Sequence, residues 1–180
     1  YGQSIYRVVE QNPYQLADDI SGIGFKLADD IAHRAGIGTN SEYRIRSGII
    51  YMLQQGTLSG HTYLPADLLA DRTAQLLGTD VSMIEKHLMD LNIDKKIMIK
   101  ELNGQRIVYA STYYYLELNC ARMLKTLNMS CNTDALPTEH VIRKIEDEEG
   151  IELDDMQRMA VMEAVRNGVM VITGGPGTGK

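Results

Sequence analysis

The 180-residue chain lacks any apolar run of the length, about 18 residues, that a membrane-spanning helix needs, and it shows no basic-then-apolar leader. Neither a membrane-spanning nor a secreted protein is expected. Cysteine is nearly absent. Cys120 and Cys131 stand eleven apart with no histidine cluster beside them, so no zinc or other metal site is expected, and two reduced thiols of a cytoplasmic protein are the better reading. An excess of positive charge is also missing. The formal net charge is −6, yet residues 139–163 hold nine acidic and three basic side chains, which leaves the rest of the chain neutral. A phosphate backbone would be repelled by the acidic stretch, so any nucleic-acid contact is expected N-terminal to it.

What is present is most distinctive at residues 174–180. Gly174-Gly175-Pro176-Gly177-Thr178-Gly179-Lys180 fills the phosphate-loop pattern G-x-x-x-x-G-K, but no Ser or Thr follows Lys180. In such a loop, backbone N–H groups curl around the β-phosphate and the lysine ammonium reaches the β- and γ-oxygens, while the hydroxyl of the next residue holds Mg²⁺. Val169-Met170-Val171-Ile172-Thr173 reads as the buried strand that should precede the loop. With the hydroxyl and the acidic strand missing, the chain is expected to be a segment of a nucleotide-driven enzyme that does not hydrolyse ATP alone.

Hydrophobic spacing and breakers predict a mainly α chain. Helices are expected over 6–11, over 13–19 with Asn12 as N-cap, over 25–35, and over 42–55, the last broken by Gly56 and Gly60. A short strand at 61–64 and helices over 65–77 and to about Leu91 lead to a hairpin, 96–100 and 106–109, turned by Asn103-Gly104. Helix, helix, hairpin is the order of a winged helix. A long helix over 112–129, a short one starting near Thr138 and a last one over 153–167 complete the chain. The domains expected are a helix-hairpin-helix region at 1–56, a winged-helix-like α+β unit at 57–111, a linking helix at 112–135, and the first helix and strand of a P-loop α/β motor at 136–180.

Two constellations in the first half point to DNA. In Ile20-Ser21-Gly22-Ile23-Gly24-Phe25-Lys26-Leu27-Ala28, the apolar residues pack, the glycines turn the chain and bring two helices close, and Ala28 permits their approach. Amides around Gly22, Ile23 and Gly24, helped by Lys26, would meet a DNA phosphate without reading sequence. The acidic neighbours Asp18, Asp19, Asp29 and Asp30 weaken that electrostatics, and packing alone is the alternative use of the motif. The hairpin adds Lys95, Lys96, Lys100 and Arg106, which would suit DNA or a protein partner equally. Tyr113-Tyr114-Tyr115 points in three directions, so at least one ring should be core and base stacking is not expected. His61 and His87 lack ligand spacing and read as structural, and Met156, Met159 and Met162 form an apolar helix face.

Asn12-Pro13-Tyr14-Gln15-Leu16 leading into Ile23–Asp29, the segment Gly60-His61-Thr62-Tyr63-Leu64-Pro65, and Leu153–Val161 followed by Ile172–Lys180 together resemble the RecD/TraA-type, RecD-like family of superfamily 1 DNA helicases. The resemblance covers nearly the whole chain, as a segment of the longer RecD-like type. It implies an ATP- and Mg²⁺-dependent 5′→3′ helicase of DNA repair or recombination in the bacterial cytoplasm, acting on single-stranded or forked DNA. Gln157 would read the adenine edge, Gly175–Gly179 would form the phosphate cradle, and Lys180 would be catalytic. Two rival readings remain: a helical module that docks a protein and leaves DNA to the motor, and a non-helicase P-loop ATPase, which Gln157 seventeen residues before Gly174 disfavours.

Overall fold

A computed structural model describes residue 2 and residues 5–20, 22–128 and 135–177, with the side chains of 18 and 135–137 left aside. The chain divides into two compact units, Tyr1–Leu116 and Glu117–Lys180. The order is α1 (Ile5–Gln11), α2 (Gln15–Asp19), α3 (Phe25–Arg34), α4 (Glu42–Leu58), β1 (Tyr63–Pro65), α5 (Ala66–Leu77), α6 (Val81–Ile93), β2 (Ile97–Leu102), β3 (Gln105–Ala110), α7 (Ser111–Leu127), α8 (Ala135–Glu149) and α9 (Asp155–Arg166).

The centre of the first unit is α4. Ile45, Ile49 and Leu53 recur at the four-residue spacing that lines one helix face, and all three are buried. Phe25, Ala28 and Ala32 of α3 share a core with them, as do Leu69, Ala70 and Leu77 of α5, Ile84 and Leu88 of α6, and Leu64, Ile97 and Val108 of the sheet. Gly56 does not break α4 as the sequence led us to expect. It lies buried inside the helix, where a Cβ would stand 3.1–3.2 Å from the Leu64 side chain, so its missing side chain lets β1 pack close. The helix stops at Gly60, whose φ of +88° permits a 6→1 closure: His61 N–H donates to Gly56 O at 3.0 Å and Gly60 N–H to Thr57 O at 2.9 Å.

The sheet order is β1-β3-β2, antiparallel throughout, with Tyr63 opposite Tyr109 and Met98 opposite Tyr109 on its other side. Asn103 and Gly104 turn the hairpin at φ +52° and +78°, as their sequence demands. Helix α4, strand β1, helices α5 and α6, then a hairpin whose second strand pairs with β1, make a winged-helix-like arrangement. It takes in α4, so the division expected between residues 56 and 57 falls within that helix. The cause is the shared core, which local sequence cannot reveal. Helix α2 starts later than expected, at Gln15, and Asn12 serves it through its backbone carbonyl, which accepts from Gln15 N–H at 3.2 Å.

One cation fastens the helical hairpin to the rest of this unit. Arg44 of α4 grips Asp29 of α3 in a two-pronged pair (Nε–Oδ1 2.8 Å, Nη2–Oδ2 3.1 Å), and its Nη1 also donates to Leu77 O at 2.9 Å and Thr39 O at 3.1 Å. Tyr14 adds its hydroxyl to Asp29 at 2.6 Å. Burial acts to raise the Asp29 carboxyl, but the hydrogen bonds of Arg44 and Tyr14 and the Arg44 charge hold it below the usual carboxylate range. Burial, then the bond to Asp29, pushes the Tyr14 phenol well up.

In the second unit, α8 is longer than expected because its acidic second half stays helical, with Lys144 3.6 Å from Glu148 one turn on. Glu146 of α8 meets Arg158 of α9 and accepts the Leu153 N–H, both at 2.8 Å. Residues 169–173 form no strand, contrary to expectation. Val169 lies in a bend and 170–173 have no regular structure, with Val171 and Ile172 exposed, and no described strand lies beside them to complete a ladder. None of the described residues belongs to a helix long and apolar enough to cross a membrane.

Candidate nucleic-acid interface

The turn between α2 and α3 ends on an open row of amides. Gly22 has φ +97°, a conformation L side chains rarely adopt, and Ile23 N–H closes the turn on Ile20 O at 3.1 Å. Gly24 is the N-cap of α3, and no side chain caps the helix there. The first-turn N–H groups of a helix have no partner within it, and their dipoles favour an anion. Lys26 is exposed in this first turn. A Cβ at Gly24 would meet nothing within 4 Å, and its φ of −92° suits any residue. Closeness between the two helices therefore does not explain this glycine, as the sequence reading had it; its bareness keeps clear the space outside the helix end.

Of the acidic neighbours, Asp29 is neutralised by Arg44, while Asp19 and Asp30 stay exposed and keep their charge, Asp19 accepting from the neutral Gln15 amide at 3.1 Å. The hairpin cations are not equally available. Arg106 lies 3.6 Å from Glu85 and 3.8 Å from Asp67, and Lys100 sits 5.1 Å over the Tyr114 ring. Lys96 is exposed. Helix α6, beside the hairpin, shows solvent Glu85, Lys86, Met89 and Ile93, a face without net positive charge.

The tyrosine run behaves differently from expectation. No side chain of α7 is buried; Tyr114 touches Tyr109 edge-on at 5.5 Å and Tyr115 is exposed. Tyr114 lies between Tyr109 and Lys100 of the hairpin and stays half-buried, as does Tyr113. His87 is buried beside Asp90, a structural place. His61, by contrast, is exposed, and with Tyr63 and Arg72 it lines a groove that sequence reasoning missed. The polar stretch Gly60-His61-Thr62 was the available signal; the approach of Arg72 depends on how α5 packs.

Gln157 sits in a capping box on α9. Asp154 Oδ1 accepts the N–H groups of Met156 and Gln157 at 2.8 and 2.9 Å, and Gln157 Oε1 accepts Asp154 N–H at 3.0 Å. Gly174–Gly177 are exposed and Gly177 takes φ +78°. Thr178, Gly179 and Lys180, with Ser21 and Cys131, lie outside the described residues. Among those described, no group of three or more His, Cys, Asp or Glu is placed to hold a metal ion.

A helical hairpin joined by a tight glycine turn, with an open amide end, defines a helix-hairpin-helix domain. Residues 1–63 match the family model of the ATP-dependent RecD2 DNA helicase HHH domain. The matched stretch runs from α1 through α4 to the first residue of β1, and it supports a helicase region of the RecD2 type.

Proposed function

We propose that residues 1–116 form a DNA-binding accessory region of an ATP-dependent 5′→3′ DNA helicase of repair or recombination in the bacterial cytoplasm. The observation that carries this reading is the open amide end of α3 inside a stretch that matches the RecD2 helix-hairpin-helix domain. The amides of Gly22 and Gly24, with Lys26, hold a phosphate of single-stranded or forked DNA, and exposed Lys96 adds charge, without sequence readout; the Ile23 N–H, expected among them, is spent on Ile20 O. Lys100 and Arg106 contribute less, because their charges are already engaged.

ATP and Mg²⁺ belong to the motor that the 174–180 motif opens. The exposed glycines and the left-handed Gly177 fit a phosphate cradle. Backbone N–H groups of Gly175–Gly179 and the Lys180 ammonium would hold the nucleotide phosphates, and Gln157 would face the adenine with its amide oriented by the cap. The bound metal nucleotide supplies the phosphoryl chemistry; these residues supply position and charge.

The test is anisotropy of labelled single-stranded, duplex and forked DNA across a salt series. Gly24→Ala is the sharpest probe, since its Cβ clashes with nothing in the fold and fills the space a phosphate would use. Wild-type binding that weakens with salt, and a several-fold loss in Gly24→Ala while the variant stays folded with only the small loss a poorer N-cap brings, is the expected result. Absence of binding at low salt would sink the reading. It would favour docking of a protein partner, which the uncharged balance and exposed Met89 and Ile93 of α6 would then serve.

A further inference from the structure

A groove of about 300 Å³ opens between the segment 60–65 and the helix that follows it, walled by His61, Thr62 and Tyr63 on one side and by Leu68 and Arg72 on the other. Its size lies at the lower end of ligand sites. The groove is held rigidly. The Gly60 closure fixes the start of the segment, buried Leu64 seats on Gly56 beneath it, and Tyr63–Pro65 are hydrogen-bonded to β3. The Tyr63 ring leans on Tyr109 at 5.2 Å and remains half-exposed.

Its charge is what sets it apart. Arg44, Arg46 and Arg106 of the same unit all have acidic partners. Arg72 is exposed and makes no hydrogen bond or ion pair with any described residue, and the His61 ring makes none either. Leu68 and Arg72, one turn apart, face the groove, whereas Asp67 and Asp71 share the neighbouring face, where Asp67 meets Arg106. An unpaired guanidinium, a ring N–H donor and an aromatic side chain thus line one cleft.

We propose that this groove binds one nucleotide of single-stranded DNA, its phosphate held by Arg72 and His61 and its base laid against Tyr63. The guanidinium presents several donors to phosphate oxygens in one plane. A base reaches the ring only when it is out of a duplex, which selects the single strand. This inference rests on the DNA-binding reading above and adds a second contact, on the sheet side of the unit.

The experiment is an NMR titration of the ¹⁵N-labelled chain with oligothymidylate, with inorganic phosphate as a separate arm, repeated on Arg72→Ala and His61→Ala. Both side chains are exposed and unpaired, so the fold should survive. Shifts are expected at the amides of residues 60–64, larger with the oligonucleotide than with phosphate, and lost in Arg72→Ala. Affinity should fall about tenfold in that variant, and the slope of log K against log salt should drop by about 0.7. Shifts confined to residues 22–26 would overturn the groove while leaving the helix-hairpin-helix contact intact. Shifts at 60–64 alone would support the groove and confine the helix-hairpin-helix contact to forked DNA. Equal shifts with phosphate and oligonucleotide would overturn the role of Tyr63, and no shifts with either would overturn the groove, whereas the helix-hairpin-helix contact falls only if forked DNA also fails to bind.

Discussion

At the level of single residues, the two glycines of the α2–α3 turn separate fold from function. Gly22 at φ +97° is needed by the backbone, and Gly22→Ala should cost about 1–2 kcal/mol of stability. Gly24→Ala meets open space, and its cost is confined to the poorer N-cap, under about 1 kcal/mol, so a loss of DNA affinity measured well below its melting temperature reports on binding. Arg44 is the other decisive residue. Arg44→Met would leave Asp29, only a quarter exposed, without its partner, and the expected loss is about 2–3 kcal/mol in urea unfolding. The same pair sets an acid dependence. Asp29 has a folded pKa below its unfolded value near 3.9, so its contribution is complete above that value and is lost as pH falls through the folded pKa. Melting temperature followed from pH 6 down to pH 2 should therefore fall less steeply in Asp29→Asn, from a lower starting point.

At the level of elements, helix ends carry the testable chemistry. Lys95 closes α6 at φ +57°, where Lys96 N–H returns to Leu91 O at 3.0 Å and Lys95 N–H to Asn92 O at 3.1 Å. A glycine suits that position, and Lys95→Gly should stabilise by about 0.5–1 kcal/mol, read as a rise in the urea midpoint. On α9 the roles of Gln157 can be pulled apart. Gln157→Glu keeps an acceptor for Asp154 N–H but loses the amide donor. In a protein carrying the whole motor it should keep the helix and weaken adenine-nucleotide affinity, while Gln157→Ala should disturb both. Equal affinity in all three would reduce Gln157 to a helix cap.

For the whole molecule, charge distribution is the controlling quantity. The acidic run lies in the second unit, where Asp147 and Glu149 are exposed. Neutralising them as D147N and E149Q should tighten DNA binding at low salt, and the gain should vanish above about 0.15 M, where screening acts within about 8 Å. A gain that persisted at high salt would mean these residues touch the partner directly.

The sequence by itself determined whatever depends on nearest neighbours along the chain. The spacing of Ile45, Ile49 and Leu53 dictated a helix face, Asn103-Gly104 a hairpin turn, and Gly22–Gly24 a tight connection, because backbone sterics and helical periodicity act over a few residues. Tertiary structure alone decided the rest. Gly56, a breaker by propensity, became a packing position because Leu64 approaches it; residues 169–173, a strand by composition, stayed unpaired because a strand exists only through its neighbour. Asp29 left the acidic surface because Arg44 folds over it. Arg106 was paired while Arg72 was left open over the groove, a distinction set by which faces of α5 and the sheet come together in space, and no local rule reaches that far.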